Sequence, residues 1–278
     1  MAATDDVADL APDERAALEA LLFRMADDEF VLAERYTEWQ VRAPTLESDL
    51  ALANIAQDEL GHARLWYDAL QGLGYSEPEL VWERNPADFR HSILVELPFT
   101  GGDWADPIVR SYLYDEAEHL RLQALEDAPV RALADPIGKV QREEEYHREH
   151  AQSWLERLCD DAEGREAVEA AVGRLFGPAL TLFVPGEHEA TVERMGLRSE
   201  SLADQREQWL DVVVPFLGSL GVEVPFGPEE DVDDLLPERV GRDGNHTDDW
   251  PALHEELTRT YRELGRSDAR RLRGERRE

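Results

Sequence analysis

Three long helical stretches of this chain carry charged residues in the middle of their apolar stripes, so any fold must place those charges in its core. In the first, Leu18, Leu22, Met25, Glu29, Leu32, Tyr36 and Trp39 recur at alternating steps of four and three, the spacing of one helix face. In the second, Leu52, Ile55, Glu59, His62 and Trp66 do the same. Another stripe holds Ile137, Val140, Glu144, His147, Ala151, Trp154 and Leu158. A buried carboxylate without a partner is strongly unfavourable, so each of these groups requires compensation.

Two of the interruptions are Glu-x-x-His units, Glu59–His62 and Glu144–His147, whose members project from one helix face. A third match, Glu116–His119, lies between them, and a chain this rich in glutamate produces about one such match by chance. Two units on two helices, joined by one carboxylate from each of two others, form the di-iron or di-manganese site of ferritin-like four-helix bundles. Glu29 supplies the first lone carboxylate. On the third helix Asp115 shares a stripe with Ile108, Tyr112 and Leu122, whereas Glu116 lies about 100° away. Asp115 is therefore the expected ligand, Glu118 stays as its alternative, and Glu116–His119 is read as the chance match. Hard oxygen donors with imidazole suit iron or manganese.

The remaining pattern is all-α. Helical periodicity runs from about 12 to 40, 46 to 70, 107 to 126 and 129 or 135 to 159, then through roughly 164–182, 199–220 and 249–265. Residues 75 to 106 look irregular. The expected layout is a single domain over 1–278, with a core bundle at about 13–160, a helical extension at about 161–265 and a frayed tail at 266–278.

A formal net charge of −33 argues against nucleic acid or an anionic membrane as partner, because both need a basic footprint. Lys139 is the sole lysine among 29 basic residues, and this acidic, lysine-poor composition resembles proteins of salt-loving archaea. With Cys159 alone there is no disulfide framework and no cysteine set for an internal iron–sulfur cluster. An acidic N-terminus without an apolar leader, and no apolar run long enough to span a membrane, give a soluble, cytoplasmic expectation.

Several strings carry a family resemblance. Asp49-Leu50-Ala51-Leu52-Ala53-Asn54-Ile55-Ala56, preceded by Glu38-Trp39 and Arg42-Ala43-Pro44, resembles the C-subunit branch of the ring-1,2-phenylacetyl-CoA epoxidase family. Val95-Glu96-Leu97-Pro98, Trp154-Leu155-Glu156-Arg157-Leu158 and Gly244-Asn245-His246-Thr247 are similar to it too, in order along almost the whole chain. That branch is a ferritin-like scaffold that has lost its metal ligands. At the ligand positions this chain departs from it: Gln57-Asp58-Glu59-Leu60-Gly61-His62 and Glu143-Glu144-Glu145-Tyr146-His147 are similar to the catalytic A-subunit branch, whose first- and third-helix ligands fall on Glu29 and Asp115.

The resemblance implies a di-iron centre held by Glu29, Glu59, His62, Asp115, Glu144 and His147, with Glu59 and Glu144 bridging and manganese as the other candidate metal. It implies O₂-dependent oxygenation of the aromatic ring of an acyl-CoA, catalysed through Glu29, Glu59 and Glu144 with the metals. Electrons would come from a separate NAD(P)H-dependent reductase, and the assembly would be a homodimer or a heterodimer with an A-like partner. Two rivals remain. A scaffold subunit would pair its inward acids with arginines such as Arg24, Arg35, Arg64 and Arg148, whose flanking positions do not favour inward orientation; a ferroxidase would need no organic substrate.

Overall fold

The computed structural model describes residues 10–40, 42–99, 102–227 and 229–264. No β-strand occurs among them, and no described helix is long and apolar enough to cross a membrane. The expected tail at 266–278 lies outside the described residues.

Four long helices make a ferritin-like bundle: α1 (Pro12–Thr37), α2 (Leu46–Gly72), α4 (Ala105–Leu125) and α5 (Arg131–Cys159). Helix α1 starts with Pro12 in its first turn beside Asp13 and Glu14, which suit the positive helix N-terminus. Thr45 caps α2 by accepting the Ser48 N–H at 3.1 Å. Helices α1 and α2 pack as one pair and α4 and α5 as another, and the long connection between α2 and α4 crosses from pair to pair. That connection holds a π-turn at Pro78–Trp82, a 3₁₀ turn at Pro86–Asp88 and the short α3 (Ile93–Glu96), in keeping with its irregular sequence.

The extension adds α6 (Ala162–Leu180), α7 (Glu189–Met195), α8 (Leu202–Ser219) and α9 (Trp250–Glu263). Helix α7 is too short to show a stripe in the sequence; it is framed by His188 (φ 67°) and Gly196 (φ 63°) in left-handed conformations. Helix α1 ends at Thr37 rather than near Gln40, and α5 starts at Arg131 and runs through Pro136, which removes one backbone hydrogen bond in its second turn. Beyond Ala151 the buried face of α5 follows Leu155 and Cys159, while Trp154 and Leu158 stay partly exposed. The 3.6-residue repeat drifts off a strict heptad in this way.

A clasp ties the C-terminal loop to the bundle. Glu96, fully buried at the end of α3, accepts the Thr247 N–H at 2.6 Å, and its other oxygen lies 2.6 Å from His91 Nε2 and 2.7 Å from His246 Nδ1. His246 Nε2 meets the Phe89 carbonyl at 3.1 Å. Gly241 and Gly244 (φ 77° and 83°) bring the loop so close that a Cβ would sit 2.1 Å from the His91 and Ala87 carbonyl oxygens, respectively.

Burial opposes ionisation of Glu96, yet hydrogen bonds from His246 and His91 hold its carboxyl down at about 2. Burial, then the neighbouring His246, lowers His91 to about 4. Both groups are depressed on folding, so the stability they contribute is present above their ordinary values and fades on acidification. For His91 that window runs from about 6.5 down to 4, and for Glu96 from about 4.5 down to 2. Glu96→Gln is expected to lower the midpoint of thermal unfolding by roughly 3–8 °C at pH 7. Circular dichroism melts should show the gap to wild type narrowing towards pH 3; a constant gap would contradict the clasp.

Candidate metal centre

The four long helices converge on a set of charged side chains with almost no exposure: Glu29 from α1, Glu59 and His62 from α2, Asp115 and Glu118 from α4, Glu144 and His147 from α5. One potential ligand atom from each of Glu29, Glu59, His62 and Glu144 lies within 4.8 Å of all the others. His62 Nδ1 is 3.2 Å from Glu144 Oε1 and 3.7 Å from Glu29 Oε2. His147 Nδ1 is 3.3 Å from the same Glu144 oxygen and 3.5 Å from Glu59 Oε1. A single oxygen of Glu144 thus stands between the two imidazoles.

None of the carboxylate oxygens of Glu29, Glu59 and Glu144, nor the Nδ1 atoms of His62 and His147, makes a hydrogen bond among the described residues. Two donors on one ion at bond lengths of about 2.1 Å sit roughly 3.0–3.4 Å apart, close to the spacing of the nearest pairs here. The clasp makes the contrast. His91, Glu96 and His246 are also within reach of a shared ion, but their atoms approach to 2.6–2.7 Å, the distance of direct hydrogen bonds.

Neighbouring acids on α1 sharpen the point. Asp27 accepts from Tyr67 Oη at 2.7 Å, from the Arg90 N–H at 2.8 Å and from Arg84. Asp28 accepts from Arg242, Arg121 and the Ser92 N–H, each at 2.8–2.9 Å. Both are buried and fully compensated, whereas Glu29, equally buried, has no hydrogen bond, with His62 Nδ1 at 3.7 Å and Arg121 Nη2 at 3.9 Å as its nearest cationic groups.

The protonation pattern follows. Burial, then Glu29 and Glu144, raises Glu59 well above the usual carboxylate range. Burial, then Glu144, does the same to Asp115. Burial would lower His62, but the adjacent carboxylates of Glu144 and Glu29 push it up to about 12. Against burial, His147 and then His62 hold Glu144 at about 2. Without metal, protons on the imidazoles provide the positive charge the carboxylates need.

The outer nitrogens of the histidines cross over. Glu143 lies 2.9 Å from His62 Nε2, and Asp58 lies 3.5 Å from His147 Nε2. Each acid precedes the glutamate of one unit and faces the histidine of the other. Such partners fix ring orientation and strengthen the histidine as a ligand. By sequence position Glu143 is an ordinary solvated residue; only the tertiary pairing of α2 with α5 reveals its place.

On α4, Asp115 Oδ2 accepts from Ser111 Oγ at 2.6 Å, leaving Oδ1 unpartnered. Glu118 is 1% exposed, is paired with Arg121 and feels Glu29 and Glu144, so both α4 acids face the cluster. Glu116 instead binds Gln152 at 2.9 Å and Arg148 at 3.0 Å, and His119 is only partly buried, so that match does not join the centre. Contrary to expectation, Arg24 and Arg35 are buried, because α7 and α3 cover them. They bond the Val184 and Glu96 carbonyl oxygens at 2.8 and 2.7 Å, respectively, and do not neutralise the central acids.

The sequence model of the phenylacetic acid catabolic proteins matches residues 1–267. The chain belongs to that family. It is 36% identical over 188 residues to the C subunit of the 1,2-phenylacetyl-CoA epoxidase of Escherichia coli (strain K12), a match spanning 65% of this chain and 73% of that relative. It is 26% identical over 192 residues to the A subunit from the same organism, spanning 67% of this chain and 62% of that relative. Within this family, the chain therefore shows kinship to both subunit types.

Two outcomes test the centre. Asp58→Asn with Glu143→Gln should weaken metal binding by about 10–100-fold in a competitive chelator titration while the helical signal is unchanged. Glu59→Leu should make the metal-free protein more stable than wild type, by about 1–3 kcal/mol in urea unfolding, because it removes one of several crowded buried acids. A destabilised Glu59→Leu protein would show that Glu59 is a satisfied core residue.

Proposed function

We propose that this chain holds two iron ions between α1, α2, α4 and α5 and serves as an oxygenating component of phenylacetate catabolism. The observation that carries the reading is the set of buried carboxylate and imidazole atoms without hydrogen-bond partners, with pairs spaced 3.2–3.7 Å apart. Oxygen and imidazole donors favour iron, with manganese as the alternative. Glu29, Glu59, His62, Asp115, Glu144 and His147 are the residues that would hold the metal ions, with Glu118 beside them.

When bound, the metal pair would supply O₂ activation for oxygenation of an aromatic acyl-CoA, with electrons from a separate NAD(P)H-dependent reductase. The chain's residues have three tasks. Glu144 sets the separation of the two imidazoles by standing between them. Glu143 bonds the outer nitrogen of His62 at 2.9 Å and Asp58 stands 3.5 Å from that of His147, with each Nδ1 facing inward. The apolar residues one turn away on the same stripes, among them Met25, Leu32, Ile55 and Val140, are buried and keep water from the centre.

The E. coli relatives are both subunits of one epoxidase, which supports an assembly of this chain with an A-like partner or with a second copy of itself. Anaerobic reconstitution with ferrous iron should load about two ions per chain, and Glu144→Ala should retain fewer than about 0.3. With phenylacetyl-CoA, a chemical reductant and ¹⁸O₂, mass spectrometry of a single turnover should show one labelled oxygen atom in the product. Iron oxidation without labelled product would favour a ferroxidase, and failure to load metal would restore the scaffold reading.

A further inference from the structure

We propose that Trp39, Trp104 and Trp154 form a path along which single electrons pass between the metal centre and the surface of the bundle. The proposal rests on the di-metal reading and concerns an oxidised centre that meets no substrate. The three indoles stand in line. Trp154, half-buried on α5, has its ring centroid 5.5 Å from that of Trp104 at the start of α4, and Trp104 lies 5.9 Å from Trp39. Interplanar angles of 76° and 65° set the edge of one ring against the face of the next. Rings in direct contact pass an electron without an intervening gap of saturated side chain or solvent.

At the inner end, Trp39 follows Tyr36 by one turn, and its backbone N–H donates to the Tyr36 carbonyl oxygen at 3.1 Å. Helical side chains lean towards the N-terminus, so the fully buried Tyr36 ring extends from Trp39 towards Glu29. Burial, then Asp115 and Glu59, raises the Tyr36 hydroxyl well above its ordinary value, in keeping with a place beside the cluster.

Hydrogen bonding separates these indoles from tryptophans that only fill the core. A buried indole N–H usually finds an acceptor, and Trp209 and Trp250 donate to the Leu113 and Pro86 carbonyl oxygens at 3.0 and 2.9 Å, respectively. Nε1 of Trp39 and of Trp104 is buried with no partner among the described residues. An indole that has lost an electron is a strong acid and yields its proton to any acceptor in reach. Without an acceptor it keeps the proton, so the loss of the electron is reversible. Trp66 shares the unpartnered N–H but is fully buried, with no surface end at which an electron could enter.

Charge favours the outer half of the path. Trp104 borders a surface hollow with the exposed acids Asp103, Asp161 and Glu163, and nearby negative charge stabilises an indole radical cation. Arg157, 4.8 Å above the Trp154 ring, acts in the other sense, but it is exposed and screened by solvent. The transfer moves one electron and no proton within the protein. A solution reductant of the ascorbate class loses the electron at Trp154 and releases its proton to water. The oxidised centre gains the electron, and each indole ends as it began. Tyr36 acts as a packed bridge, because its buried hydroxyl has no partner to take the proton that oxidation of a phenol releases.

The test uses the full chain, loaded with ferrous iron and with its metal content measured first. After exposure to O₂ without substrate or reductant, peptide mass spectrometry should find oxygen adducts on Trp154 and Trp104. Trp82, half-buried but off the path, should stay unmodified, as should metal-free protein treated alike. Trp104→Phe keeps an aromatic ring that is much harder to oxidise, and should abolish the Trp154 adduct at unchanged iron content and helical signal. Trp39→Phe should do the same and covers the case in which the first variant does not fold. Freeze-quenched wild type should show a tryptophan radical by electron paramagnetic resonance, narrowed by ring-deuterated tryptophan and missing in Trp39→Phe. Iron-loaded protein without adducts, a Trp154 adduct that persists in both variants, or equal labelling of Trp82 overturns the path alone. Failure to load iron overturns the path together with the reading on which it rests.

Discussion

Unpartnered charges at the centre of the bundle set the conditions that the surrounding structure must meet. Carboxylates and imidazole Nδ1 atoms buried without hydrogen bonds favour separation of the helices, since each group would be better solvated outside. The four helices nonetheless converge on them, because Leu18, Leu22, Met25, Leu52, Ile55, Ile137 and Val140 bury large apolar surface along the same stripes. The core holds the charges together; the charges do not hold the core. Such an arrangement concentrates unfavourable energy at one place and relies on packing elsewhere to offset it.

Helix α1 shows how that offset is organised. Asp27, Asp28 and Glu29 are consecutive, and successive helical residues point about 100° apart. Asp27 therefore reaches the connection between the helix pairs through Arg84 and Arg90, while Asp28 reaches Arg242 in the C-terminal loop and Arg121 on α4. Glu29 is left to face the centre. One turn of helix thus fixes the crossover segment, the C-terminal loop and the cluster relative to one another. The Glu96 clasp, a few residues beyond Arg90, repeats the link between the same two segments. This explains what the extension adds to a four-helix bundle: it supplies cations and N–H groups to acids that α1 cannot satisfy by itself.

Legibility in the sequence followed helix amphipathicity. Glu59, His62, Glu144 and His147 could be placed because α2 and α5 each combine a polar side with an apolar stripe, so a charge on the stripe stands out; Glu29 could be placed by its register on the stripe alone, since α1 is buried on nearly every side from Leu21 to Tyr36. Helix α4 offers no such contrast: nearly every residue from Ala105 to Glu118 is buried. Periodicity then cannot rank Asp115 against Glu118, and the structure turns both towards the cluster. The orienting acids Asp58 and Glu143 escape a sequence reading for another reason, since each acts on a histidine of a different helix. The burial of Arg24 and Arg35 is hidden as well, because what covers them, α7 and α3, is too short to leave a periodic trace.

The same physics bears on whether such a centre suits a scaffold. In a subunit that only supports a partner, replacing any one of the central acids by an apolar residue would relieve repulsion and desolvation together, so stability favours losing the set. A scaffold reading must also find internal partners for the acids. Away from the centre arginines abound, on Asp27, Asp28, Glu116 and Glu189, yet no arginine pairs with Glu59 or Glu144, which face only the two imidazoles, and Glu29 has one guanidinium at 3.9 Å. Arginine supply is therefore not what limits neutralisation. The chain places its guanidiniums around the centre and keeps them from the space between the two histidines, where Glu144 Oε1 lies 3.2 and 3.3 Å from their Nδ1 atoms. A body of the C-subunit kind that preserves this exclusion keeps a buried carboxylate and imidazole group that could hold a metal ion.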